Sequence, residues 1–311
     1  MQRPFFVYHM PSFTFPGVPD SQRFEHVAST VLAAEEAGFD LVTVMDHFYQ
    51  IPGVGAEEEP MLEAYSTLAA LAARTSRIRL GAMVSGVTYH NPALLAKTVT
   101  TLDTISGGRA VLGLGAAWYE AEHVGLGVTF PPIGERMDRL EEALQICRLM
   151  FTTERPSFEG RFYRIERALN NPRPLQPGGP KILVGGVGER RTLQLVARYA
   201  DIANWFGTFE EVMHLREVLE RHCEAEGRDP ATILRTVSLP IVLARDAAGA
   251  ARTLARLPAG RRASMTTPTP AQAADLLQPY MDAGFGGFVL RNIQLPPENM
   301  DLAAELIRML S

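Results

Sequence analysis

Eight short apolar runs alternate along this chain with segments of helical period, and this alternation constrains the fold more than any other feature. The runs fall at 4–10, 39–45, 78–84, 109–115, 181–186, 201–206, 236–243 and 286–290. Most lack a polar alternation, as parallel strands buried on both faces should. Eight strand–helix units within 311 residues, with no break in composition, predict an α/β fold: one (β/α)8 TIM barrel over 1–311.

The intervening segments carry helix punctuation. Asp20 or Ser21 is placed to cap a helix bearing Phe24, Val27 and Val31, which Gly38 stops. Asn91-Pro92 is a cap followed by proline at the first helical position. Met137, Leu140, Leu144, Cys147 and Phe151 form one helical stripe, and Val212, Leu215, Leu219 and Cys223 another. Ala37-Gly38-Phe39 and Ala283-Gly284-Phe285 repeat one helix-to-strand joint. Two segments depart from a plain barrel and read as insertions. The first, 152–180, carries a small hairpin at Phe158-Glu159-Gly160-Arg161-Phe162 and then a proline-rich loop; the second is 245–270.

Composition narrows the function classes. A net charge of −5 argues against a nucleic-acid face, and no apolar stretch reaches membrane-spanning length. The start Met1-Gln2-Arg3-Pro4 leads into an apolar run too short for a secretory signal. Cys147 and Cys223 both fall in helical stripes and read as buried thiols, which suits a reducing cytoplasm.

A barrel of this kind carries its chemistry at the C-terminal strand ends. Those ends bring His9-Met10, Asp46-His47-Phe48, Ser85-Gly86 with Tyr89-His90, Gly113 to Trp118, Gly185 to Gly188, Asn204-Trp205-Phe206 and Arg291-Asn292 to one rim. Aromatic rings, imidazoles and glycines together suit a flat ring system lying against backbone. Gly185-Gly186-Val187-Gly188, followed by Glu189-Arg190-Arg191, reads either as an anion cradle ahead of a helix or as a tight turn. Gly113-Leu114-Gly115 leaves a gap that would admit a ring or relieve packing at a bend. His47 is the candidate acid, base or hydrogen-bond donor; neighbours on a strand point apart, so Asp46 is not its relay partner. No zinc-binding pattern, nucleophile elbow, strand-end lysine or carboxylate pair stands out, which argues against a metal hydrolase, an acyl hydrolase, an aldolase or an isomerase.

The ordered set of these pieces resembles the luciferase-like monooxygenase superfamily, and within it the F420-dependent oxidoreductase branch. The likeness rests on Ala37-Gly38-Phe39-Asp40, Asp46-His47-Phe48, the segment from Asn91 to Lys97 and the segment from Leu102 to Arg109. It continues through Gly113-Leu114-Gly115-Ala116, Gly134-Glu135-Arg136, Gly185 to Gly188 and Ala200-Asp201. The resemblance implies that Asp46 and His47 lie beside the ring of a flavin or deazaflavin. It implies a bulge near Met83-Val84-Ser85, with a non-prolyl cis peptide, that backs this ring. Gly115, Ala116 and Trp118 would border the cofactor; Gly185, Gly186, Val187, Gly188 and Arg190 would hold its phosphate. Trp118 stands where sugar-phosphate and alcohol dehydrogenases of this branch tend to carry a carboxylate, which weakens simple alcohol oxidation; Glu120 and Glu122 follow it.

The implied activity is hydride transfer between coenzyme F420 and a small organic substrate, with His47 moving the proton and Trp118 and Trp205 walling the pocket. The alternatives are an FMN-dependent two-component monooxygenase served by a separate reductase, and a non-catalytic flavin-binding protein. The resemblance also implies a homodimer paired through helices near 61–74 and 91–104.

Overall fold

The computed structural model describes residues 3–255, 262, 265–290 and 297–311. The chain runs β1 (Phe5–Met10), α1 (Asp20–Ala37), β2 (Leu41–Val44), α2 (Ala64–Ala72), β3 (Arg79–Ala82), β4 (Ser85–Gly86), α3 (Pro92–Ser106) and β5 (Ala110–Gly115). It continues with α4 (Glu120–Leu126), α5 (Ile133–Thr152), β6 (Phe158–Glu159), β7 (Arg164–Ile165), β8 (Lys181–Gly185), α6 (Thr192–Tyr199), β9 (Ile202–Trp205) and α7 (Phe209–Ala225). After β10 (Leu234–Leu239) come helices Ala247–Ala255 and Pro270–Asp282, then β11 (Gly287–Leu290) and helix Pro297–Met309.

Parallel pairing runs β3-β2-β1-β11-β10-β9-β8-β5, and a further β3–β5 pairing closes the ring of eight. Alternation along each strand splits the apolar residues into two layers. Val7, Leu41, Val111, Leu183, Ile202 and Val289 fill the inside of the barrel. Phe6, Tyr8, Val42, Leu112, Val184, Val237 and Phe288 face the helices. The predicted stripes on α5 and α7 are buried in that outer layer, and Cys147 and Cys223 within it are free buried thiols.

Several boundaries differ from the sequence expectation for identifiable reasons. The run 78–84 is broken: β3 stops at Ala82, and β4 resumes at Ser85 against Leu114 of β5. The run 236–243 shifts toward the N-terminus, because Leu234 and Arg235 pair with Ile202 and Ala203, while Pro240 follows the last strand residue and has no N–H to continue the ladder. Neither Asp20 nor Ser21 caps α1; Asp20 is already helical and its carboxylate pairs with Arg23. Asn91 caps α3 as expected, its Oδ1 accepting from the amides of Ala93 (3.0 Å) and Leu94 (3.3 Å). Both Ala-Gly-Phe joints turn through left-handed glycine, φ 97° at Gly38 and 81° at Gly284.

In 152–180 the expected hairpin forms, with Phe158 opposite Ile165 and Glu159 opposite Arg164. In 245–270 the described part is helix Ala247–Ala255 and a bridge from Ile241 to Thr266. Arg291 and Asn292, expected on the rim, lie outside the described residues.

The segment from Leu102 to Arg109, which carried part of the family resemblance, is mechanical. Arg109 donates to the carbonyls of Ala72 (2.9 Å), Thr75 (3.0 Å) and Ile78 (2.6 Å), tying α2 to β3. Buried Asp103 accepts from the Leu175 amide (2.8 Å) and the Gln176 side chain (2.7 Å), anchoring the end of the 152–180 segment. Both lie at the N-terminal strand ends, the face that serves stability in this architecture.

Barrel closure depends on close backbone approach between β3 and β5. A Cβ on Gly81 would sit 2.6 Å from the carbonyl oxygen of Val111, and one on Gly113 would clash outright with the carbonyl of Ala82. Gly113→Ala is therefore expected to lower stability by about 1–3 kcal/mol, because backbone rather than a flexible side chain must give way. Gly134→Ala, on α5 with open space around it, is expected to be neutral or to gain up to about 1 kcal/mol. Urea midpoints of the two variants test this; equal midpoints would show that closure tolerates a methyl group there.

Candidate active site

The strand C-termini surround a cavity of about 540 Å³, within the range of small-molecule sites. Its floor is set by the barrel's alternation: above the aliphatic plug, β9 and β10 send Asn204 and Ser238 inward, their side chains hydrogen-bonded to each other (2.9 Å). His9 also lines the cavity, with Nδ1 2.9 Å from the Thr43 hydroxyl.

The break between β3 and β4 supplies one wall. The peptide Met83–Val84 is cis, where the family resemblance placed a non-prolyl cis bond. The Val84 side chain leans over β5 and β8, so a Cβ on Gly115 would lie 2.7 Å from its Cγ2 and one on Gly185 3.4 Å from its Cγ1. The gap at Gly113–Gly115 is thus not open to a ring or a sugar chain. It is filled by the Ala82 carbonyl and by Val84, and these glycines serve to seat the bulge.

Asp46 and His47 diverge as adjacent residues should, and each finds its own partner. Asp46 Oδ2 meets His90 Nε2 at 2.7 Å, and the His90 ring stands edge-on to Tyr65 (centroids 5.8 Å apart). His47 Nδ1 meets Glu122 Oε2 at 2.8 Å. Glu122, fully buried on the first turn of α4, also accepts from the Phe48 amide, the Tyr49 amide (3.2 Å) and the Tyr89 hydroxyl (2.8 Å). Burial alone would raise the Glu122 pKa; the hydrogen bonds from His47, Phe48 and Tyr89, with the nearby imidazole charge, outweigh it and hold the carboxyl below its ordinary range. Tyr89 is pushed upward, first by burial and then by its bond to Glu122 and the charges of Glu122 and Asp46.

An ionised carboxylate only accepts, so the proton of a neutral His47 ring sits on Nδ1. Nε2 is then a free lone pair, and among the described residues it has no protein partner. The His47 ring is held edge-on to Trp118 (5.7 Å) and Tyr119 (6.1 Å). Past β5 the backbone turns through Ala117 at φ 58°, rare for a residue with a side chain. Arg136 secures that turn by donating to the carbonyls of Ala116 (3.2 Å), Ala117 and Pro131 (2.9 Å).

Of the residues singled out from sequence, Asp46, His47, Met83, Val84, Gly115, Ala116, Trp118, Gly185 and Gly186 line this one cavity. Ser85 lies behind the wall, its hydroxyl 2.7 Å from that of Tyr65. Val187, Gly188 and Arg190 are exposed on the turn after β8, outside the cavity wall. Gly186 there takes φ 124°, and among the described residues the amides of Val187, Gly188 and Glu189 donate to no protein acceptor. Arg191 does not join that turn as an anion fork; it pairs with Asp138 of α5 at 2.6 Å. Trp205, expected in the pocket wall, is 0% exposed and packs edge-on against Phe285 in the outer core, because Asn204 takes the inward position on β9. Trp118 is 56% exposed at the mouth. Sequence reading left Glu122 unplaced; the signal was a carboxylate one turn into a helix that starts directly beyond strand end five.

A closed parallel barrel with an aromatic and histidine-lined cavity at its strand C-termini defines the class: a TIM-barrel protein with a small-molecule cavity at the barrel mouth. The chain belongs to the luciferase-like monooxygenase family, whose model matches residues 5–290. It is 31% identical over 296 residues to the F420-dependent glucose-6-phosphate dehydrogenase of Kineococcus radiotolerans, covering 83% of this chain and 84% of that protein. The corresponding enzyme of Intrasporangium calvum is 39% identical over 170 residues, 54% of this chain and 48% of the relative. Among solved structures, an F420-dependent secondary alcohol dehydrogenase bound to an F420-acetone adduct superposes with a TM-score of 0.82 at 16% identity, over 100% of both chains. EDTA monooxygenase from Chelativorans sp. BNC1 does so at 0.84 and 18%, over 99% of this chain and 93% of that one. At these identities the structural likeness speaks for the fold alone.

Glu122 yields a pH prediction. Its pKa is lowered by folding, so its contribution to stability is complete above the ordinary carboxylate value of 4.5 and is lost as pH falls through the lowered value. Glu122→Gln is expected to cost about 3 kcal/mol at neutral pH, because an amide replaces the buried carboxylate that accepts from His47, Phe48, Tyr49 and Tyr89 and leaves buried donors unpaired. That cost should shrink steadily below pH 4.5. Denaturant titrations of both proteins from pH 7 to 3 check it, and a difference that stays constant across the range would refute the assignment.

Proposed function

We propose that the chain is an F420-dependent oxidoreductase that transfers a hydride between the deazaflavin and a small organic substrate bound in the same cavity. One observation carries this reading: His47 is fixed through Nδ1 on a buried carboxylate, while Nε2 stands free in the wall of a 540 Å³ cavity. The 31% identity across most of an F420-dependent dehydrogenase supports this cofactor over FMN.

The residues present fit such a group. Met83 and Val84 give a flat apolar backing, and Asn204 and Ser238 offer hydrogen bonds at the floor. The turn after Gly186 presents unpaired amides ahead of the N-terminus of α6, suited to a phosphate. Bound F420 supplies a two-electron hydride acceptor and donor, chemistry that no side chain can provide. The protein's part is to orient the reactants, exclude water and move one proton. His47 is the proton carrier. Neutral, its Nε2 takes the proton of a substrate being oxidised; in the reverse direction the imidazolium returns it. Glu122 fixes the tautomer and steadies the charged ring without reaching the cavity. Asp46, held by His90, presents a carboxylate to the cavity and would face a bound cofactor there.

Binding is tested by titrating the purified chain with F420 and, separately, with FMN, following cofactor fluorescence. F420 is expected to bind at least about tenfold more tightly; preferential FMN binding would favour the two-component monooxygenase reading. His47→Asn retains a donor toward Glu122 but lacks the Nε2 base. It is expected to keep the melting temperature and F420 affinity while kcat falls about 10²- to 10⁴-fold. Unchanged turnover in that variant would remove His47 from the reaction.

A further inference from the structure

We infer that Tyr89 is a positioning residue for the proton carrier: its hydroxyl shares the Glu122 oxygen that holds His47, and so limits how strongly that carboxylate stabilises the charged ring. The sharing is a property of the wall itself. Its consequence for turnover rests on the hydride-transfer reading above.

Glu122 divides its donors between its two oxygens. Oε1 accepts from the backbone, the amides of Phe48 and Tyr49 (3.2 Å). Oε2 accepts from two side chains at equal distance, His47 Nδ1 and the Tyr89 hydroxyl, each at 2.8 Å. The amides hold the carboxyl in place. The two side chains compete for the charge on one atom. Each hydrogen bond to a carboxylate draws on its negative charge, so an added donor weakens what is left for the others. The Tyr89 bond belongs to the set that holds Glu122 below its ordinary range. Without it, Glu122 is the stronger base, and His47 alone occupies Oε2 among these side chains.

Tyr89 is fixed in that position from several sides. It sits in the loop between β4 and α3, where the Val87 amide donates to the Gly115 carbonyl (2.9 Å) and the Tyr163 hydroxyl to the Val87 carbonyl (3.3 Å). The Tyr89 ring lies against Gly86, where a Cβ would come within 2.8 Å of it. The ring stacks on His123 (centroids 4.3 Å apart, planes at 27°) and stands edge-on to Phe48 (5.4 Å). His123 Nδ1, a donor to the Tyr119 carbonyl at 2.7 Å, lies 3.0 Å from the phenol oxygen, so that oxygen is free to donate only toward Glu122. The next residue, His90, bonds Asp46 directly. Two consecutive residues of one loop thus hold two consecutive residues of another, Asp46 at first hand and His47 through Glu122.

A proton carrier that works in both directions must accept a proton and also release it. An imidazolium facing an undivided carboxylate holds its proton firmly and returns it poorly. With Oε2 shared, Glu122 still fixes the Nδ1–H tautomer of His47 but stabilises the charged ring less.

The test follows the His47 ring nitrogens by NMR in the full chain labelled with 15N-histidine, the signal being assigned by its loss in His47→Asn. Tyr89→Phe keeps the ring packed on His123 and Phe48 and removes only the oxygen. It is expected to raise the pH midpoint of the His47 signal by about half a pH unit or more, and to move the Nδ1–H proton resonance downfield. Among the described residues, the other titratable groups around this ring are Tyr119 with Glu57, Asp46 with His90, and His9 in the same cavity wall. All are common to both proteins, so the comparison isolates the hydroxyl. In a Glu122→Gln background the same substitution should move the midpoint by less than about 0.2. A midpoint that stays in place or falls, or a rise that persists without the Glu122 carboxylate, would overturn the assignment. If the Glu122→Gln chain does not fold, the Nδ1–H resonance of Tyr89→Phe decides in its place, and a resonance that stays put or moves upfield overturns the assignment. The F420 titration is read separately: a chain that shows both shifts yet does not bind F420 keeps this role for Tyr89 and loses the hydride-transfer reading.

Discussion

The barrel closes where β3 meets β5, and it closes because two glycines leave the backbones nothing to collide with. Gly81 faces the Val111 carbonyl and Gly113 faces that of Ala82, at separations no side chain allows. The same contact builds the site. With β5 bare at Gly113 and Gly115, the chain beyond Ala82 can depart from the ladder and drop Val84 across β5 before pairing again at Ser85. The cavity's backing wall is thus made by the same departure from regular pairing that closes the ring. Changing either glycine would disturb stability and site together.

Much of this was legible because parallel barrels write their strands plainly. The eight apolar runs, the Asn91 cap, the two Ala-Gly-Phe joints and the stripes on α5 and α7 follow from local chemistry, and the structure contains each. Departures arose where a contact distant in sequence decided the outcome. The glycines of β5 looked like room for a ligand because the occupant, Val84, comes from another strand. Trp205 looked like a rim aromatic because the sequence places it at a strand end. Which of Asn204 and Trp205 points inward depends on register with β8 and β10, and that register gives the lumen to Asn204.

The histidine–carboxylate arrangement was half readable. That Asp46 and His47 could not serve each other follows from strand geometry alone. Their actual partners lie 44 and 75 residues away along the chain, and no short-range pattern announces such a pairing. Glu122 reaches His47 only because α4 starts at Glu120, immediately past the turn that Arg136 pins at Ala116 and Ala117. The segment around Gly134-Glu135-Arg136 therefore acts on the site through the backbone that Arg136 holds.

Proton directions around Glu122 follow from what each group can accept. Glu122 can only accept, so Tyr89 must donate to it and His47 must present Nδ1–H. The Tyr119 carbonyl likewise only accepts, so buried His123 donates from Nδ1, and its Nε2 lies 2.7 Å from the Thr88 hydroxyl. His123, Tyr89 and Glu122 thereby form one hydrogen-bonded support behind His47. Facing the cavity beside His9 are His47 Nε2 and the oxygen of Asp46 that His90 does not engage. The site thus sets an imidazole and a carboxylate, each held from behind by a buried partner, into a wall that is otherwise largely apolar. Glu122, bonded to Nδ1, is already placed to stabilise positive charge on the His47 ring.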